Sequence, residues 1–402
     1  MSHIGLEQTR PYPFTRLKSL FAGINPGDGV KKHISLGIGE PMHPLPECIR
    51  QAFVDNLGAM SHYPSTTGMP ELREAIARWC ERRYRVELNP ATQIVPCLGS
   101  REALFSLVQS LINTRKSLPA KPAVVMPSPF YQIYEGAAFM AGAEAHYLPL
   151  TKENNFTMDL ASVGEEVLAR TQLVFVCSPG NPTGKTLSLA DWKVLFELSA
   201  KYGFTIASDE CYSEIYLDET KPPLGALTAA KMLGIDDFKN IVIFQSLSKR
   251  SNAPGMRSGF VAGDAAIMKD FILYRTYHGS AMNPTVQLAS IAAWNDETHV
   301  LENRNLYRQK FAVAQPVINS VIEAPLSDAS FYLWAKVPGD DQTFAKELYR
   351  QEAVTVLPGT YLSRDCNGVN PAFGYVRIAL VAEPDMVLEA ANRIETFVKT
   401  NF

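Results

Sequence analysis

Four short, nearly unbroken apolar runs constrain this chain more than any other feature: residues 123–126, 173–177, 204–207 and 241–244. Runs of four or five apolar residues without polar alternation suit strands covered on both faces, as in a mostly parallel sheet. Amphipathic stretches lie between them. Residues 70–83 place Leu72, Ile76, Trp79 and Cys80 on one helical face, with Pro70 suited to the first turn. Residues 101–112 predict another helix. The alternation predicts an α/β fold in which helices sandwich the sheet. After about position 290 the texture changes to helical segments, with aromatic or alternating strands expected at 330–337 and 375–380. These predict a second, smaller α/β layer.

A length of 402 residues accommodates one large or two ordinary domains, and 46% hydrophobic with 20% charged residues is the balance of a chain that buries a core. The formal net charge of −3 argues against general binding to nucleic acid or to anionic membranes. The most apolar long window, 122–143, is interrupted by Pro122, Pro127 and Pro129, so no membrane span is expected. The charged, proline-containing start resembles no secretory signal, and a cytoplasmic enzyme is expected. Six cysteines without a CxxC pair and seven histidines without HxH or HxxxH spacing predict neither a disulfide framework nor a metal site.

Ligands of open parallel sheets bind beyond the carboxyl ends of the strands. The four runs are followed there by PSPFYQIY, SPGNPTG, SDECY and QSLSKR. Gly180 to Thr186 looks like a phosphate loop, but Gly180 and Gly184 enclose three residues where four are needed, and Pro182 removes an N–H donor. Ser246-x-x-Lys249 fits the SxxK of serine acyl-enzymes, yet the companion motifs Ser-Asp-Asn and Lys-Thr-Gly are absent. A third chemistry accounts for all four segments: a lysine that forms a Schiff base with pyridoxal 5'-phosphate (PLP), and an aspartate paired with its pyridine nitrogen.

Asn181-Pro-Thr-Gly, then Asp209-x-x-Tyr212 28 residues on, then Ser246-x-Ser-Lys249 with Arg257 eight residues after the lysine, resembles the class I/II aminotransferases of PLP fold type I. The similarity runs from Leu36 through Leu380. It implies a large PLP-binding domain, residues 46–289, and a small domain built from both chain ends, 1–45 and 290–402, that closes over the substrate. Lys249 would carry the cofactor and move the substrate's Cα proton, and Asp209 would keep the pyridine nitrogen protonated. Asn181 and Tyr212 would hydrogen-bond the phenolate oxygen. Tyr131 would stack on the ring, with Phe130 as the other candidate. Gly99, Ser100 and Arg101, opening a helix, would cradle the phosphate with Ser246 and Arg257. Tyr63 resembles the tyrosine that reaches the phosphate held by the partner subunit, implying a homodimer with shared sites. Gly39 and Arg377 match the positions at the substrate α-carboxylate, where Asn181 also lies.

Dicarboxylate-specific relatives bring an arginine from the partner just before an Asn-Pro pair. Counting back from Asn283-Pro284, His278 occupies that position, either as a substrate contact or as a loop residue. The longer segments SLGIGEPMHPLPECI, YPSTTGMPELREAIARW and GSREALFSLVQSLI resemble proteobacterial N-succinyldiaminopimelate aminotransferases. This implies ping-pong transfer between N-succinyl-LL-2,6-diaminopimelate and 2-oxoglutarate, both small molecules, in lysine biosynthesis. An aminotransferase for aromatic or other amino acids, a PLP-dependent C–S lyase and a PLP-binding regulator stay open beside it. No basic helix-turn-helix segment favours the regulator.

Overall fold

The computed structural model describes residues 4–117 and 119–402. All four apolar runs lie in strands of one seven-stranded sheet. Its strands are β1 (Ile94–Cys97), β2 (Ala123–Ser128), β3 (Glu144–Pro149), β4 (Thr171–Cys177), β5 (Thr205–Asp209), β6 (Ile241–Ser246) and β7 (Gly259–Gly263), in the spatial order β1-β7-β6-β5-β4-β2-β3. β7 runs against its neighbours β1 and β6, and the remaining pairings are parallel.

Alternate residues of each central strand enter two different cores. Val125, Val174, Val176, Ile206 and Ile243 pack with Trp79, Trp192 and Trp294 on one face. Val124, Met126, Phe175, Ala207 and Val242 pack with Leu104, Leu107 and Phe271 on the other. With both faces covered, the strand centres are apolar and polar residues such as Ser208, Asp209, Gln245 and Ser246 gather toward the carboxyl ends, which explains the nearly unbroken runs. The helices Pro70–Tyr84 and Ser100–Leu111 form where periodicity predicts them, one on each face.

A second core joins the start of the chain to its last hundred residues. β8 (Tyr332–Lys336), β9 (Leu357–Pro358) and β10 (Tyr375–Ala379) form an antiparallel sheet in the order β9-β10-β8. Beside it, Ile34–Ser35 pairs in parallel with Val354–Thr355. Ile34 and Leu36 pack there against Phe311, Leu348, Ile378 and Phe397 of this layer. The expected change of texture at 289/290 falls inside the helix Pro284–Asn295, whose Ala289, Ala293 and Trp294 belong to the large core. Among the described residues, no helix is long and apolar enough to cross a membrane.

Candidate active site

The carboxyl ends of the parallel strands and one edge of the small sheet meet at a cavity of about 500 Å³. β5 ends in Asp209, β6 ends in Ser246, and the turn Leu247–Arg250 that follows carries Lys249. β4 leads into Asn181 and β2 into Tyr131, while β10 brings Arg377 and β8 brings Tyr332. Gly39, Ser100, Arg101, Tyr131, Asn181, Asp209, Tyr212, Ser246, Lys249, Arg257 and Arg377 all line the cavity.

Lys249 Nζ donates to the Gly39 carbonyl at 2.6 Å. Burial, only partly offset by nearby acidic groups, lowers its pKa to about 8. Asp209 is buried in the cavity wall, where Oδ2 accepts from the Tyr134 hydroxyl at 2.7 Å and Oδ1 from the Cys211 N–H at 3.3 Å. Burial raises its pKa, and those hydrogen bonds together with Lys249 oppose the rise. A carboxylate offers about four acceptor positions, so Asp209 keeps capacity for a further donor. Tyr212 shares a 2.9 Å hydrogen bond with Tyr332, and burial holds its phenol protonated far above the ordinary range.

At the other end of the cavity, Ser100 opens the helix Ser100–Leu111, whose first N–H groups lack intrahelical partners. Gly99 precedes it with φ +81°, and a Cβ there would stand 2.5 Å from Arg257 Nη2. Glycine thus leaves the space the guanidinium fills. Ser246 Oγ accepts from the Ser248 N–H at 3.1 Å, capping the turn that carries Lys249. Arg377 Nη1 donates to Asn181 Oδ1 at 2.9 Å and Nη2 to the Gly37 carbonyl at 2.9 Å. Its guanidinium lies 4.4 Å from the Tyr332 ring centroid, and its buried Nε has no partner.

Tyr131 lines the cavity, whereas Phe130 is buried against Tyr147 and Arg364. Arg101 opens the helix as expected, but its side chain turns to the Tyr131 hydroxyl at 2.6 Å and the Tyr12 hydroxyl at 3.3 Å. Tyr63 is fully exposed and does not line this chain's cavity. His278 ends the helix Ala265–His278, contacts Ser280 Oγ at 3.0 Å and also stays outside that cavity. The Gly180–Gly184 loop turns its N–H groups onto its own chain, Gly180 to the Lys185 carbonyl and Gly184 to that of Gly180, both at 2.8 Å. Those donors cannot cradle a phosphate.

Sequence reasoning missed Tyr12, Tyr134 and Tyr332. It also missed that Cys48, far away in the chain, joins Asp296 and His299, three residues apart, in bringing ligand atoms within 4.8 Å of one another. His299 there bonds Asp296 at 2.5 Å and Ser251 at 2.9 Å. The Arg250 guanidinium, 3.1 Å from the same Ser251 hydroxyl, adds a cation that opposes a metal ion.

A mostly parallel sheet with a lysine, an aspartate, an asparagine and two arginines gathered beyond its strand ends defines a PLP enzyme of fold type I. The chain belongs to the aminotransferase class I and II family, which matches residues 31–394, and is a PLP-dependent aminotransferase. It is 33% identical over 392 residues to the LL-diaminopimelate aminotransferase of Nitratidesulfovibrio vulgaris (strain DSM 19637 / Miyazaki F), covering 93% of this chain and 95% of the relative. The solved aminotransferase of Neisseria meningitidis Z2491 superposes with a TM-score of 0.94 at 51% identity, covering 99% of this chain and all of that one. The aminotransferase AspB of Helicobacter pylori 26695 gives 0.88 at 37% identity, covering 98% of this chain and 100% of its own.

Proposed function

We propose that this aminotransferase exchanges an amino group between N-succinyl-LL-2,6-diaminopimelate and 2-oxoglutarate by a ping-pong mechanism, serving diaminopimelate and lysine biosynthesis. The observation that carries this reading is a cation beyond those proposed for the phosphate and the α-carboxylate: Arg101 lines the same cavity as Arg257 and Arg377, held by the hydroxyls of Tyr131 and Tyr12. Succinylation turns the distal ammonium of the substrate into a neutral amide and adds a carboxylate beyond it, so a cation at each end suits this substrate. The longer sequence segments that resemble N-succinyldiaminopimelate aminotransferases support the same choice.

The residues present fit the cofactor. Gly99, Ser100, Ser246 and Arg257 would hold its phosphate, in a space that a Cβ at position 99 would fill. Asp209 would pair with the pyridine nitrogen, Tyr131 would cover the ring, and Asn181 and Tyr212 would hydrogen-bond the phenolate oxygen. When bound, PLP supplies an electron sink for negative charge at the substrate's Cα. Lys249 Nζ would take the proton from Cα and deliver it to the cofactor's C4′, a task suited to an amine with a pKa lowered to about 8. Arg377 orients the α-carboxylate with two parallel donors, helped by Gly39 and Asn181. Closure of the small layer excludes water.

Tyr63 would complete the phosphate site of a second copy, and His278 would face that copy's substrate, which makes the protein a homodimer. Exposed Leu57, Met60, Leu273 and Tyr277 supply apolar surface for such a contact. The six free cysteines suit a reducing cytoplasm.

The names of the curated relatives favour a second reading, free LL-diaminopimelate, whose distal ammonium could face Glu40, also on the cavity wall. Half-reaction spectra separate the two. Protein loaded with PLP is mixed with each amino acid alone, and conversion to the pyridoxamine form is followed. Rapid conversion by N-succinyl-LL-2,6-diaminopimelate, reversed by 2-oxoglutarate, is the expected result. Conversion by the free diamino acid alone would transfer the assignment to the second reading.

A further inference from the structure

Both ends of Lys249 are tied to one short segment of chain. Its Nζ donates to the Gly39 carbonyl at 2.6 Å. Its main-chain carbonyl accepts from Asn303 Nδ2 at 3.1 Å, and Asn303 Oδ1 lies 2.7 Å from Nδ1 of His43. His43 Nε2 in turn lies 2.6 Å from Nζ of Lys310, which is wholly buried and also donates to the Val381 carbonyl at 2.9 Å. Asn252 adds a tie of its own, donating from Nδ2 to the carbonyls of His43 and Pro44.

The direction of these bonds follows from what each group can donate. The carbonyls of Lys249 and Arg250 only accept, so Asn303 turns its NH₂ toward them and its oxygen toward His43. That oxygen accepts, which assigns the imidazole proton to Nδ1 and leaves Nε2 to accept from the Lys310 ammonium. The result is a one-way line of donors, Lys310 to His43 to Asn303 to the Lys249 carbonyl. Tyr307 packs against it, 4.5 Å from the His43 ring and 5.1 Å from Lys310 Nζ. Glu383 is the acidic group that acts on both His43 and Lys310. Burial lowers the pKa of His43, in keeping with a neutral ring that accepts at Nε2.

We propose that His43, Asn303 and Lys310 are positioning residues that lock residues 37–46 and the Lys249 turn in one register, fixing the line along which Nζ approaches the substrate's Cα. None of the three lines the cavity, so they act through Lys249 and the Gly39 carbonyl. The proposal rests on Lys249 being the reactive lysine. Borohydride reduction of the PLP-loaded protein followed by peptide mapping tests that reading separately: label elsewhere removes it, and label at Lys249 leaves the register to be tested.

The test compares His43→Phe, His43→Asn and Lys310→Met. His43→Phe should lower kcat between about ten- and a hundredfold, the scale of a misplaced reacting group. KM for the amino donor should change less than kcat, since Arg377 keeps its bond to Asn181 even where the Gly37 carbonyl shifts. His43→Asn, whose amide restores a donor to Asn303, should recover most of the loss. In the cofactor-free protein, the titration midpoint of the Lys249 amine should rise in His43→Phe above the wild-type value of about 8, as a loosened turn admits water. A lower melting temperature with unchanged kcat and midpoint in His43→Phe and Lys310→Met would overturn the proposal. Should the variants fail to fold, ¹⁵N spectra of the wild-type imidazole decide: a proton on Nδ1 supports the donor line, and a proton on Nε2 overturns it.

Discussion

Burial opposes a charge on Asp209 while hydrogen bonds and Lys249 favour one, so its chemistry depends on what surrounds it. Asp209→Asn keeps the shape and removes the charge, so the first half-reaction should slow about a hundredfold or more. Melting temperature should move little, because the neutral side chain relieves a buried ion. Stopped-flow absorbance and a thermal melt check the two halves of that expectation. Lys249 carries a second prediction. Its folded-state pKa of about 8 lies below the ordinary 10.5, so in the cofactor-free protein the reactive amine appears as pH rises through 8, while exposed lysines are still protonated. Competitive labelling with an amine reagent should give that midpoint, and a midpoint near 10 would contradict the burial argument. The sequence placed Lys249 and Asp209 beyond the apolar runs, and Arg377 by family resemblance, and all three line one cavity. Tyr134 and Tyr332 were not legible there: an aromatic within an apolar stretch reads as core, and only the fold turns their hydroxyls onto Asp209 and Tyr212.

The same contrast holds among the elements. The four central strands announced themselves because both faces are buried. β3, at the sheet edge, has a largely half-exposed pattern and gave no such signal. β7 reads Gly-Phe-Val-Ala-Gly and looks like a loop, yet its glycines are what the pairing needs. A Cβ at Gly259 would stand 2.3 Å from the Gln245 carbonyl oxygen, and one at Gly263 2.0 Å from that of Ile241. Two substitutions test helix starts in different ways. Asp264 caps the helix Ala265–His278, accepting from Ala266 N–H at 2.8 Å and Asn240 N–H at 2.7 Å. Asp264→Ala should cost about 1–2 kcal/mol in denaturant unfolding and leave kcat unchanged. Gly99→Ala should instead cost both stability, because φ +81° favours glycine, and function. Its Cβ displaces the Arg257 guanidinium, and PLP affinity measured by fluorescence should fall about tenfold or more.

At the scale of the whole molecule, the cavity is assembled from positions as distant as Gly39 and Arg377, and the proposed homodimer would add Tyr63 from a second copy. Sedimentation should give about twice the chain mass of 44.4 kDa. Tyr63→Phe should preserve that mass while loosening PLP several-fold. A fully active monomer would refute the shared site. Composition and periodicity carry no sign of this level, because an interface leaves no period; only the family resemblance at Tyr63 implies it. The layout of the large sheet also has a temporal side. All seven strands lie between residues 94 and 263, and the proposed cofactor contacts from the same chain between 99 and 257, whereas Arg377 emerges from the ribosome about 120 residues later. A nascent chain thus carries the residues proposed to hold the cofactor well before the one proposed to grip an amino acid, so the two sets of contacts belong to different stages of synthesis.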